Sequence, residues 1–297
     1  MNSIKREISP HTLFNQIKLE RSVHKGSFFL VEGDTDGRVF RQFIDSAVCS
    51  LVVCVNRDNV VRTIERLDAY GFHGAVGVVD SDYCELLEIR RPSPNICCTG
   101  ANDLECLIIK SGAFDKVLLH YSSAEKIEKI ERARGLNVRA MIYAQAAHIG
   151  AMRLAAKRAG WPVKFSGMTY TFASNISFEI NVSAVCQHVL ARSQLAALTT
   201  ERFMSAAQEE RKRAPSDLAL CNGDDLMRVV ARALKKEIGT YNGFERESNE
   251  LAKALYLAFD LDHFSKTALY RCLRHWEEGN GPFVVFARPL VVSAVLS

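Results

Sequence analysis

The acidic residues that could do chemistry stand at the ends of two short apolar runs. Phe28-Phe29-Leu30-Val31 ends in Glu32-Gly33, and Ala75 to Val79 ends in Asp80-Ser81-Asp82. Side chains two apart on an extended chain point the same way, so Asp80 and Asp82 can face one spot unless the turn alters that geometry. Three carboxylates around one spot repel unless a divalent cation neutralises them. Mg²⁺ suits such a set, with Mn²⁺ as its alternative, because it takes a few carboxylate oxygens and keeps water or phosphate oxygens elsewhere. The plain alternative is that these acids only serve turns, where Asp and Gly are common.

The elements around them must place these acids. Ser9-Pro10 reads as a helix start, an N-cap followed by proline at the first helical position. After the first apolar run, Asp36 to Ile44 reads as a helix and Leu51 to Val55 as a strand. Val60 to Tyr70 is a third helix, stopped by Gly71, and Ala75 to Val79 a third strand. Ile96 to Thr99 reads as a fourth strand, and Asn102 to Lys110 as a helix capped by Asn102. Short runs that are apolar throughout suit strands buried on both faces of a parallel sheet. In such sheets ligands gather beyond the carboxyl ends of the strands, where Glu32, Asp80 and Asp82 stand. The expected fold is α/β, a parallel sheet flanked by helices with a mainly helical C-terminal half. The expected division is an N-terminal helix over 1–25, the α/β core over 26–112 and a helix-rich region over 113–297, with a β-hairpin near 169–182.

FLVEGDTD (Phe29 to Asp36) and VVDSD (Val78 to Asp82) together resemble the TOPRIM fold of topoisomerases, primases and overcoming-lysogenization-defect nucleases. The resemblance covers about residues 26–112. It implies Glu32 as the catalytic glutamate and Asp80 and Asp82 as the metal-binding pair, with Asp36 as a further acidic position. Asp34 is either an extra ligand or the cap of the next helix. Asp103 and Glu105, in NDLE, either contribute to a second metal site or are first-turn acids that suit a helix dipole. The downstream segments CNGDDLMRVV (Cys221 to Val230) and FSKTALYRCLRHW (Phe264 to Trp276) make the whole chain look like the TOPRIM-type effector subunit of the PARIS anti-phage system. That resemblance implies a toxin-like, metal-dependent endoribonuclease with transfer RNA as substrate, held by an ABC-type ATPase partner. It leaves a homodimer open as the active assembly.

The rest of the sequence limits the alternatives. No GxxxxGK[ST] phosphate loop is present, so a nucleotide-driven control must come from another chain. Net charge is +4, and the whole excess lies in residues 151–297. There Arg153, Lys157, Arg158 and Lys164 are the candidates for contact with an RNA backbone. Arg153 and Lys157 stand four apart on one helix and can face the same side. The nine cysteines include no CxxC and several sit in apolar runs, so they read as reduced structural thiols. No apolar run approaches the ~18 residues of a membrane helix. Met1 to Ile8 has no signal-peptide core, and the expected setting is soluble and cytoplasmic, with no membrane partner.

In this reading Asp80 and Asp82 hold the cation at the scissile phosphate while Glu32 relays a proton. Two other readings share the same carboxylates. One is a DNA-nicking nuclease of the overcoming-lysogenization-defect type. The other is a non-catalytic subunit whose acids hold Mg²⁺ to organise a partner surface.

Overall fold

The computed structural model describes residues 8–166, 168, 179–195, 197–240 and 248–286. Of the hairpin expected near 169–182, residues 169–178 lie outside them, and Val182 already opens a helix. The chain divides into two compact units, each built from separated stretches. Unit 1 comprises Met1–Asp80, Arg90–Thr99 and Ser265–Ser297, and unit 2 comprises Ser81–Ile89 and Gly100–Phe264.

Unit 1 carries a four-stranded sheet of β1 (Ser27–Val31), β2 (Cys49–Val53), β3 (Ala75–Val79) and β4 (Ile96–Cys98). Every pairing is parallel, and the order is β2-β1-β3-β4. β1 and β3 are buried along their whole length, as uninterrupted apolar runs require. Alternation splits β1 between two layers. Phe28 and Leu30 join Leu13 and Ile17 of α1 (Pro10–Glu20) and Val60, Ile64 and Leu67 of α3 (Arg57–Ala69) in one core. On the other face Phe29 meets Phe40 of α2 (Asp34–Arg41) edge-on at 5.4 Å between ring centres. Gly77 lets β3 approach α3 closely, since a Cβ there would stand 2.7 Å from Val60 Cγ1.

Local capping moves the helix starts away from their expected places. Ser9 caps α1 as its sequence suggests, its Oγ accepting the Thr12 N–H at 3.1 Å. α3 begins at Arg57 rather than Val60, because Asn56 Oδ1 accepts the Asn59 N–H at 2.9 Å. α2 begins at Asp34 rather than Asp36, so Asp34 is not its cap. Gly33 takes that position, and the Asp36 carboxylate reaches back to the Gly33 N–H at 2.8 Å.

The expectation that all nine cysteines are reduced is corrected. Cys97 of β4 and Cys272 of α14 (Ala268–Gly279) form a disulfide, while the other seven are free thiols. The two partners lie 175 residues apart in sequence, a separation at which local spacing carries no information. α14 also fixes the chain that follows it, as Glu277 Oε1 accepts the N–H groups of Val285 and Phe286 at 2.6 and 3.0 Å. Phe286 in turn bridges Ile44 antiparallel.

Unit 2 is built from helices. They are α4 (Leu104–Lys110), α5 (Ala113–Tyr121), α6 (Ala124–Arg134), the long α7 (Val138–Ala159), α8 (Val182–Ser193), α9 (Thr200–Arg213), α10 (Asp217–Leu220), α11 (Gly223–Ala233) and α12 (Ser248–Ala258). A π-helical turn, Leu234–Ile238, prolongs α11, and α13 (Leu261–Ser265) ends where the chain returns to unit 1. α7 packs against α9, α10 and α11 and supplies most of the buried apolar face. Among the described residues, no helix is long and apolar enough to cross a membrane.

Candidate functional site

In unit 1 the strand order reverses between β1 and β3, since the chain leaves β1 for one neighbour and later returns to its other side. Ligand sites of open α/β sheets form at such a reversal, outside the carboxyl ends of the strands. Glu32 directly follows β1 and Asp80 directly follows β3. The structure joins them: Glu32 Oε1 accepts the Asp80 N–H at 2.8 Å. Both residues are half-buried. Arg57 Nη1 donates to the Asp80 carbonyl oxygen at 2.9 Å and fixes the same turn from the start of α3. Glu32 also contributes negative charge beside Cys54, whose thiol is pushed up to about 12, first by burial and then by that carboxylate.

Asp36 lies one helical turn from Glu32, its carboxylate engaged with the Gly33 N–H. Three of the expected acids, Glu32, Asp36 and Asp80, thus belong to unit 1. The other three, Asp82, Asp103 and Glu105, belong to unit 2.

Asp82 does not continue the extended chain. Its φ is 46° and that of Tyr83 is 64°, so two successive non-glycine residues take the left-handed region. The alternation that would aim Asp80 and Asp82 alike ends there. Main-chain and side-chain groups of unit 2 hold the bend. Asn102 accepts from Asp82 N through its carbonyl and from Tyr83 N through Oδ1, both at 3.0 Å, and Tyr83 Oη donates to the Leu220 carbonyl. Burial raises the Tyr83 phenol well above its ordinary range, which keeps it a neutral donor. The Asp82 carboxylate stands 3.9 Å from Lys157 Nζ, which donates to the Asp82 carbonyl at 2.8 Å.

Asn102, expected as the cap of α4, is replaced in that role by Asp103. Asp103 Oδ1 accepts the Cys106 N–H at 2.9 Å, while its Oδ2 accepts from Gly223 N at 2.6 Å and Asn222 Nδ2 at 3.2 Å. A cation at Asp103 would have to compete with these donors. Burial raises the Asp103 pKa, and the neighbouring charge of Glu105 raises it further. Glu105 itself accepts a short hydrogen bond from Tyr256 Oη.

The basic group expected on nucleic acid is engaged within unit 2. Arg153 forms a bidentate pair with Asp225, at 2.6 and 2.9 Å. Arg158 does the same with the buried Glu210, at 2.7 and 3.2 Å, and also donates to the Leu86 carbonyl. Lys164 is exposed. The sequence reading missed Arg57 and Asn102. A signal for Arg57 was present: a cation at the first helical position opposes the helix dipole, so a second task is expected of it. Asn102 gave none, because a cap and a turn clamp look alike in sequence.

Among the described residues, no three His, Cys, Asp or Glu side chains form a ready-made metal cage. The donors fit a hard cation that needs few protein ligands. Glu32 and Asp80 supply carboxylate oxygens at one sheet end, and Mg²⁺ is commonly held by one or two carboxylates together with water and substrate phosphate. No protein-family model matches this chain, and no curated protein matches it significantly.

Proposed function

We propose that this protein is a metal-dependent phosphodiesterase, an endoribonuclease whose centre is built on Glu32 and Asp80. The observation that carries the reading is the hydrogen bond from Asp80 N to Glu32 Oε1 across the β1–β3 reversal. That bond orients the glutamate side chain, and the Arg57 contact holds the turn on which Asp80 is presented. When bound, Mg²⁺ supplies charge neutralisation at the phosphate and an activated water. Glu32 and Asp80 would hold it, with Asp36 and Asp82 as the further acids that the TOPRIM resemblance names. Glu32 also serves as the proton acceptor in this reading. Arg57 adds positive charge at the same sheet end, suited to a substrate phosphate.

The PARIS resemblance supplies the rest of the proposal: transfer RNA as substrate, a role as defence effector, and an ABC-type ATPase that holds the enzyme inactive. The test is incubation of the purified protein with transfer RNA and plasmid DNA, in Mg²⁺ or in EDTA. Cleavage of transfer RNA in Mg²⁺ alone supports the reading. Nicked plasmid with intact transfer RNA points to the DNA-nicking alternative, and Mg²⁺ binding without cleavage of either points to a regulatory subunit. Co-expression with the ATPase, followed by size-exclusion chromatography, tests the partner. Separate elution with full nuclease activity counts against sequestration.

A further inference from the structure

The Cys97–Cys272 disulfide lies wholly within unit 1, while seven other cysteines remain thiols. A chain that keeps so many thiols suits a reducing compartment, where disulfides are rare and those that form are transient or redox-sensing. The two sulfurs differ in access. Cys97 is buried in β4, whereas Cys272 is partly exposed on α14. Arg91, an exposed residue, brings Nη1 to 3.3 Å from the Cys272 sulfur. A guanidinium there attracts an incoming thiolate and stabilises the Cys272 thiolate once the bond is cut. Cys98 is no rival nucleophile. It follows Cys97 on the strand, faces the opposite side and packs against the core of Leu13, Phe28 and Ile64.

The bond stands where its loss has mechanical consequences. α14 meets β4 through this cystine and through Trp276 Nε1, which donates to Asn95 Oδ1 at 2.8 Å. The same helix carries Glu277, which holds Val285 and Phe286. On β4, Cys98 pairs with Val79, the residue before Asp80. The disulfide thus ties α14 to the strand beside the candidate site. Leu269 and Leu273 are buried, so α14 stays docked after reduction, but its local opening no longer has to carry Cys97 along.

We propose that Cys97–Cys272 is a redox-active disulfide, opened by a dithiol reductant that attacks at Cys272 and thereby loosens α14. A thiolate of the reductant attacks Cys272 Sγ, a new S–S bond forms there, and Cys97 leaves as a thiolate that takes up a proton. The second thiol of the reductant then attacks the reductant sulfur of the mixed disulfide and releases the Cys272 thiolate beside Arg91. Two electrons pass to the cystine, and the reductant ends as a disulfide. The inference does not rest on the nuclease reading.

The test takes full-length protein purified without reductant, treats it under native conditions with dithiothreitol, quenches it in acid and counts thiols by alkylation after denaturation. Seven thiols should react before reduction, and all nine cysteines afterwards. Arg91→Gln should slow the native reduction by about threefold. Amide hydrogen exchange across α14 should quicken by about tenfold or more on reduction. Cys272→Ser should show that faster exchange with or without dithiothreitol, and circular dichroism confirms that both variants fold. Nine reactive thiols before reduction, a cystine that opens only in denaturant, an unchanged rate in Arg91→Gln or unchanged exchange in α14 would each overturn the proposal. Transfer RNA cleavage plays no part in these readouts, so their failure leaves the nuclease reading standing, and failure of that reading leaves the disulfide switch standing.

Discussion

Asp103 Oδ2 accepts the backbone N–H of Gly223 at 2.6 Å, although 120 residues separate them. One carboxylate therefore caps α4 and anchors the first turn of α11. Gly223 has no room for a side chain, since its Cβ would lie 2.6 Å from Asp103 Oδ1. Asp103→Ala leaves three donors without their partner and removes a cap. The expected loss is roughly 3 kcal/mol, read from the urea midpoint, with Asp103→Asn losing less because one acceptor oxygen remains.

Glu32→Ala should lower nuclease activity by about 10²-fold or more while the fold survives, because the residue is half-buried at a strand end and not in the core. Cleavage rates on transfer RNA, with circular dichroism alongside, check this. A folded variant cleaving at the wild-type rate removes Glu32 from the chemistry.

Asp80→Asn and Asp82→Asn each remove one charge at nearly constant shape. Both should raise the Mg²⁺ concentration needed for half-maximal activity. Asp80→Asn should have the larger effect, because the Asp82 carboxylate already faces Lys157, whereas Asp80 stands at the strand end whose backbone N–H holds Glu32. Unchanged metal titrations would reduce both residues to turn formers.

Gly150 lies inside α7, where alanine ordinarily favours a helix by about 1 kcal/mol. Here a Cβ would overlap the carbonyl oxygen of Leu220 at the end of α10, and backbone cannot rotate out of the way. Gly150→Ala is expected to destabilise the protein by roughly 2 kcal/mol or more, measured by thermal or urea unfolding. A stabilised variant would show that α10 does not press on α7.

His148 is held neutral. Burial pushes its pKa down to about 4 from an ordinary 6.5, the Arg211 guanidinium adds to that, and Asp217 opposes it. A pKa lowered by folding makes the unfolded chain the better proton binder. This group's contribution is therefore full above pH 6.5 and is lost as pH falls through about 4. His148→Gln should flatten the stability profile over that interval by roughly 2 kcal/mol, allowing for partial exposure to solvent. An identical pH profile in the variant would show that His148 is not protected.

The sequence by itself determined the sheet of unit 1 and the acids at its strand ends. Strands buried on both faces must be apolar throughout, so Phe28–Val31 and Ala75–Val79 announce themselves, and the chain polarity puts Glu32 and Asp80 at their carboxyl ends. Caps were legible only in part: Ser9-Pro10 marked α1, but Asn102 was read as the cap of α4 and Asp103 as a first-turn acid, whereas Asp103 is the cap. Tertiary structure alone decided the partners. Asp225 and Glu210 stand 72 and 52 residues from the arginines they bind, and Cys272 stands 175 from Cys97. Each of the two units is also assembled from separated stretches of chain. Periodicity and propensity act over a few turns of chain, whereas ion pairs, disulfides and the close approach at Gly150 depend on distance in space. Folding brings those distances about, and nothing in local spacing encodes them.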